Sequence, residues 1–127
     1  MFVISDPDEA AWLGWFAQAE NYDGYLRWAY NSWTMEPLAD ARFRTWPSGD
    51  CFVVYPGGRG SVRFSKLVEG IQDFEKIRIL KEQWRKEDDD SKLSHLAGIL
   101  KSFSSEKLLE EGPANALTAA KSFLDEQ

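Results

Sequence analysis

The chain has 127 residues, 43% of them hydrophobic and 28% charged, which suits one domain with its own core and is too apolar for wholesale disorder. Its 21 acidic residues against 15 basic ones leave a net charge of -6, which argues against a protein built to wrap a phosphate backbone, so no nucleic-acid partner is expected. A single cysteine, Cys51, and a single histidine, His95, exclude an internal disulfide and a multi-cysteine zinc site; no calcium-loop spacing occurs, and neither metal nor cofactor is expected.

The apolar start from Phe2 to Ile4 meets Asp6 and Asp8 far short of a secretory core or a membrane span, so no membrane role is expected either. A helix is predicted next. Asp6 is placed to cap it, Pro7 suits the first helical position, and Glu9 stands where a capping carboxylate belongs. Ala10, Ala11, Trp12, Trp15 and Phe16 cover more than one stripe, so this helix expects burial on a wide face, and residues 21 to 24 end it with turn chemistry.

Residues 25 to 30 have the aromatic content of a strand, nonpolar on both alternate faces, which predicts an interior strand covered on two sides. Arg27 is the exception and needs a carboxylate if buried. A long connection from Thr34 to Gly49 follows, with Arg42, Arg44, Glu36 and Asp40; connections of this length are often functional. Residues 51 to 55 read as a second short strand, closed by the turn at Pro56, Gly57 and Gly58. Five of the six tryptophans and all four tyrosines fall before residue 56, so a compositional boundary lies at that turn.

The clearest element is a helix from Ser61 to Lys86, where Phe64, Leu67, Ile71, Phe74, Ile77 and Trp84 recur at steps of three and four. Gly70 interrupts it at about 1 kcal/mol against alanine, a cost that is offset if another backbone comes close there. The charge run from Glu87 to Asp90 breaks the pattern. Helical spacing resumes from Leu93 to Phe103, with a short piece from Ser104 to Glu110 and a last helix opened by Gly112 and Pro113. The expected class is therefore α/β and helix-rich, with two strands and about four helices. Two strands with a wide aromatic surface make no protected sheet, so further strands are expected from a second copy or from a larger sheet.

Chemistry concentrates between Tyr25 and Trp33, together with Trp46 and Asp50. Sugar rings present flat C–H faces that stack on indole and phenol rings, while their hydroxyls need amide, carboxylate or phenol partners. Trp28, Tyr30, Asn31, Trp33 and Asp50 supply both kinds of group, and the competing reading is that the aromatics fill a core. Glycoside hydrolysis needs two positioned carboxyls, or one aided by the substrate. Glu20 with Asp23, or Asp40 with Asp50, are the candidates, yet none has a pattern separating catalyst from cap or ion pair. Cys51 reads as a buried hydrophobe rather than as a nucleophile paired with His95. The turn from Tyr55 to Ser61 lacks the lysine of a phosphate-binding loop; Arg59 and Arg63 are expected to pair with carboxylates, and an anion has a place there.

Several motifs in order strengthen this reading: GYLRWAYNSW at Gly24 to Trp33, RTWPSGD at Arg44 to Asp50, VYPG at Val54 to Gly57, SVRF at Ser61 to Phe64 and EGIQDFE at Glu69 to Glu75. Over roughly residues 8 to 86 they resemble the C-terminal part of the catalytic domain of glycoside hydrolase family 123. The resemblance implies the terminal strands and helices of a partial (β/α)8-barrel over residues 1–86, with residues 87–127 as a helical extension. It implies a longer bacterial parent, secreted or periplasmic, acting on terminal N-acetylhexosamine glycosides, in which the substrate acetamido oxygen attacks the anomeric carbon while an adjacent Asp and Glu orient it and supply the acid. Trp28, Tyr30, Asn31 and Trp33 would then lie near the sugar, with Asp50 on the same rim. The catalytic pair has no counterpart here: Asp8 and Glu9 stand at a helix start, and Asp125 and Glu126 at the last residues. The expectation is thus a truncated, inactive piece that recognises an N-acetylhexosamine carbohydrate and associates with itself or with an upstream barrel polypeptide. The alternative is a structural or protein-interaction module without carbohydrate chemistry.

Overall fold

The computed structural model describes residues 2–42 and 45–127. Asp6 Oδ1 accepts the backbone N–H of Asp8 at 2.9 Å and Pro7 adopts helical dihedrals, so α1 (Asp8–Ala19) starts on the residues suited to start it. It stops at Asn21, whose φ of 56° reverses the chain; Tyr22 N–H then reaches back to Ala17 O (2.8 Å), the left-handed cap that satisfies a terminal carbonyl. Ser61 Oγ caps α2 (Val62–Lys86) by accepting from Phe64 N–H at 3.1 Å. A second left-handed residue, Asp88, ends α2, and Asp89 caps α3 (Asp90–Leu100) through Lys92 N–H at 3.0 Å. α4 (Ser105–Glu111) and α5 (Ala114–Asp125) complete the order.

The helices meet through one glycine pair. A Cβ on Gly14 would lie 2.0 Å from Gly70 O, and one on Gly70 would lie 2.6 Å from Ala11 O, so α1 and α2 cross at backbone contact. The close approach that Gly70 required is therefore present. Around the crossing, Trp15, Ile77, Trp84, Leu96 and Phe103 are fully buried. Trp15 stacks on Phe103 at 5.1 Å, and Trp84 meets Phe123 of α5 edge-on at 6.1 Å. Polar clasps close the rim: Trp15 Nε1 donates to Asp73 Oδ2 at 2.9 Å, and Lys121 of α5 pairs with Glu69 (2.6 Å) and Asp73 (2.9 Å) of α2.

The α/β expectation, with its partial (β/α)8-barrel, is overturned: the fold is all-helical, and no β-strand forms among the described residues. Between α1 and α2 the chain makes two isolated bridges, Asn31 opposite Phe52 and Tyr55 opposite Arg59. At the first, Val53 N–H donates to Tyr30 O (2.9 Å) and Ser32 N–H to Cys51 O (3.0 Å). A strand persists only with a neighbouring ladder, and residues 25 to 30 lack one. Their apolar side chains stand in solvent instead, Leu26 at 93% and Trp28 at 61% exposure. Residues 51 to 53 are buried, but burial comes from packing rather than from a sheet. No helix is long and apolar enough to cross a membrane among the described residues.

Candidate functional site

The connection from Glu20 to Ser61 is held by a knot of backbone carbonyls and arginines. Gly49, at φ 80°, directs its carbonyl to two guanidinium groups: Arg63 Nη1 at 2.8 Å and Arg27 Nη2 at 3.1 Å. Arg27 also donates to Asp50 O and lies 3.5 Å from Asp50 Oδ1, the carboxylate partner its burial demanded. Arg63 lies over the Phe52 ring at 5.7 Å, and burial pushes its guanidinium below the usual arginine range. Neither Arg59 nor Arg63 forms the expected pair with a carboxylate among the described residues; Arg59 Nη1 turns to Pro56 O at 3.5 Å.

On this support stands a surface depression of about 370 Å³, lined by Tyr30, Asn31, Trp33, Tyr55 and Phe64 with the glycines of the preceding turn. The bridge to Phe52 fixes Asn31 at its edge. Trp33 Nε1 donates to Val54 O at 2.7 Å, which ties the indole down by its polar atom and leaves the residue 39% exposed. Tyr30 rests edge-on against Phe64 at 6.1 Å, with 48% of its surface open. Asn31 is exposed. The site thus presents two aromatic surfaces, one tied down at Trp33, beside an exposed asparagine.

Three of the five expected residues, Tyr30, Asn31 and Trp33, come together here. Trp28 does not line the depression; it pairs with Trp46 at 5.2 Å in a second exposed aromatic surface. Asp50 is turned inward to Arg27. Tyr55 and Phe64 were missed as site residues because one fell in an apparent strand and the other in the apolar stripe of α2. The position of Phe64, one turn into a helix that follows a glycine-rich turn, is the signal that places it at a rim. Arg44 lies outside the described residues.

The proton-transfer candidates are dispersed. Among the described residues, the lining of the depression holds no carboxyl group. Asp40 is engaged by Arg42 at 2.8 Å, and hydrogen bonding to that guanidinium holds its carboxyl down to about 2, so it is a solvated ion pair. Glu20 follows the C-terminal end of α1, and Asp23 is exposed in the turn after it. Burial, with the Asp50 charge adding to it, pushes the Cys51 thiol up, away from thiolate chemistry, while His95 lies in α3 against Phe123 at 4.8 Å. No cluster of three metal-ligating side chains occurs among the described residues.

The family model for the catalytic domain of glycoside hydrolase 123 matches residues 1–80. The chain belongs to this family. Its fold is similar to a family 123 glycoside hydrolase from Clostridium perfringens whose structure describes glycolipid glycan hydrolysis, with a TM-score of 0.74 at 28% identity over 98% of this chain. Only 25% of the Clostridium perfringens chain is covered, so the chain spans about a quarter of that family 123 enzyme. A search of the curated proteins finds no match. The family 123 likeness includes the helices after residue 86, which share one hydrophobic cluster with α1 and α2.

Proposed function

We propose that this chain recognises a carbohydrate bearing a terminal N-acetylhexosamine and does not itself hydrolyse it. The observation that carries the reading is the depression in which Tyr30, Asn31 and Trp33 converge without a carboxyl group in its lining. Ring faces stack on sugar C–H bonds, and the Asn31 amide serves a hydroxyl or an acetamido group; hydrolysis lacks its proton donor. Trp28, tilted against Trp46, extends the aromatic surface for a further sugar unit, and Asp50 acts through Arg27 by holding the loop. Membership of family 123, and the glycolipid glycan hydrolysed by the Clostridium perfringens enzyme, support the substrate class. In this reading residues 1–86 carry recognition and residues 87–127 brace them.

The test is calorimetric titration with N-acetylgalactosamine and N-acetylglucosamine, paired with a glycoside-release assay. An open site of this size predicts millimolar affinity, about -4 kcal/mol. Trp33→Ala should weaken binding at least tenfold and no sugar should be released. Glycoside release abolished by one carboxylate substitution would overturn the inactive assignment, and an unchanged Trp33→Ala titration would overturn the site.

A second reading, association with a larger family 123 polypeptide, is favoured by apolar surface on the first half of α2. Val62, Val68 and Ile71 are 65%, 36% and 55% exposed. All three stand on α2 without cover among the described residues, as Leu26 does in the connection.

A further inference from the structure

A cavity of about 570 Å³ lies away from the aromatic depression, between the C-terminal end of α1, the second half of α2, and α3. Its floor is apolar, with Leu96, Leu100 and Phe103 at 1%, 9% and 1% exposure. Its charged lining is mostly cationic, Lys81, Arg85 and Lys101 against one carboxylate, Glu20, with the neutral Gln18, Asn21 and Ser104 between them. In a chain of net charge -6 this is a local inversion of sign.

None of the three cations is neutralised by a carboxylate among the described residues. Lys81 Nζ donates to Gln18 Oε1 at 2.8 Å, a neutral amide, and neither Arg85 nor Lys101 has a carboxylate within ion-pair distance among the described residues. The nearby end of α1 does not need them, because the carbonyls of Phe16, Ala17 and Gln18 accept from the backbone N–H groups of Glu20, Tyr22 and Asn21. Burial, together with the Arg85 charge, pushes Lys81 below the usual lysine range, as expected of a cation held beside another without a counter-ion.

We propose that this cavity is a binding site for a small organic anion with an apolar body, a carboxylate or a phosphate ester, whose charged head meets Arg85, Lys81 and Lys101 while its body covers the floor between α1 and α3. The volume falls within the range of small-molecule sites, and a guanidinium fork beside two ammonium groups suits either oxyanion. Glu20 on the rim disfavours a second negative group at the α1 end, so the head is held toward α2 and α3.

Titration of the full chain with octanoate and with phenyl phosphate tests this, followed by calorimetry and by amide shifts of residues 93 to 104. Saturable one-to-one binding by at least one probe is expected, weakened tenfold or more by Arg85→Gln, an exposed position whose substitution leaves the helical signal intact. Lys81→Gln should act in the same direction, and Arg59→Gln, on the far loop, should have no effect. The better of the two probes identifies the head group. The proposal is overturned if neither probe binds, if Arg85→Gln binds as tightly as the parent, or if Arg59→Gln weakens binding equally. Octanol binding as tightly as octanoate would overturn the role of charge, and inorganic phosphate binding as tightly as phenyl phosphate would overturn the role of the apolar floor.

Discussion

Single glycines separate positions where backbone contact matters from those where it does not. Gly14, Gly70 and Gly98 are all helical, but only the first two face another helix at distances no Cβ tolerates, whereas nothing lies within 4 Å of a Cβ at Gly98. Alanine at Gly98 should therefore stabilise the chain by up to about 1 kcal/mol through helix propensity. Alanine at Gly14 should destabilise it by about 3 kcal/mol, because the obstacle is the Gly70 carbonyl and the helices must part. Urea midpoints for both variants check this, and a gain at both sites would contradict the crossing. Gly49 is constrained twice over, by a φ of 80° and by the Arg63 guanidinium, which would stand 2.5 Å from any Cβ placed there, so the arginine knot beneath the aromatic site depends on it.

Among the elements, several helix ends were legible in local chemistry: Asp6 and Pro7 start α1, the turn from Asn21 stops it and Ser61 opens α2, whereas Asp89, which caps α3, was hidden in the charge run from Glu87 to Asp90. The strands were misread for an equally physical reason. Aromatic alternation from Tyr25 to Tyr30 reports a nonpolar segment, not the presence of a neighbour to pair with; the need of a buried Arg27 for a carboxylate was legible, but that Asp50 fills it is known only from the fold. Tyr30, Asn31 and Trp33 were grouped by their chemistry, together with Trp28 and Asp50, which do not line the depression, while the contributions of Tyr55 and Phe64 depend on how the turn before α2 folds back. Helix docking has a pH signature. Glu69 is held below the ordinary 4.5, chiefly because Lys121 donates to it, with burial opposing and Lys66 adding to the effect. A lowered carboxyl contributes stability that is fully present above 4.5 and is lost as pH falls through its folded value. Glu69→Gln should cost up to about 1 kcal/mol at pH 7 and progressively less in acid, read as converging urea midpoints. A gap unchanged well below pH 4.5 would contradict the ion-pair account.

For the whole molecule, two surfaces of different character follow from one fold: a helical core closed by Trp15, Trp84 and Phe103, and an open apolar face on α2 that it leaves uncovered. Sedimentation over a wide concentration range should show self-association, reduced by Ile71→Lys without loss of helical signal; a compact monomer throughout would count against an uncovered docking face. The central claim, sugar recognition by the fixed aromatic depression, is tested most directly by following the indole N–H resonances during titration with N-acetylgalactosamine. Trp33, tied through Nε1 to Val54 O, should shift saturably while the buried Trp15 and Trp84 stay still. An unmoved Trp33 resonance at saturating sugar, or equal movement of all the indoles, would contradict it.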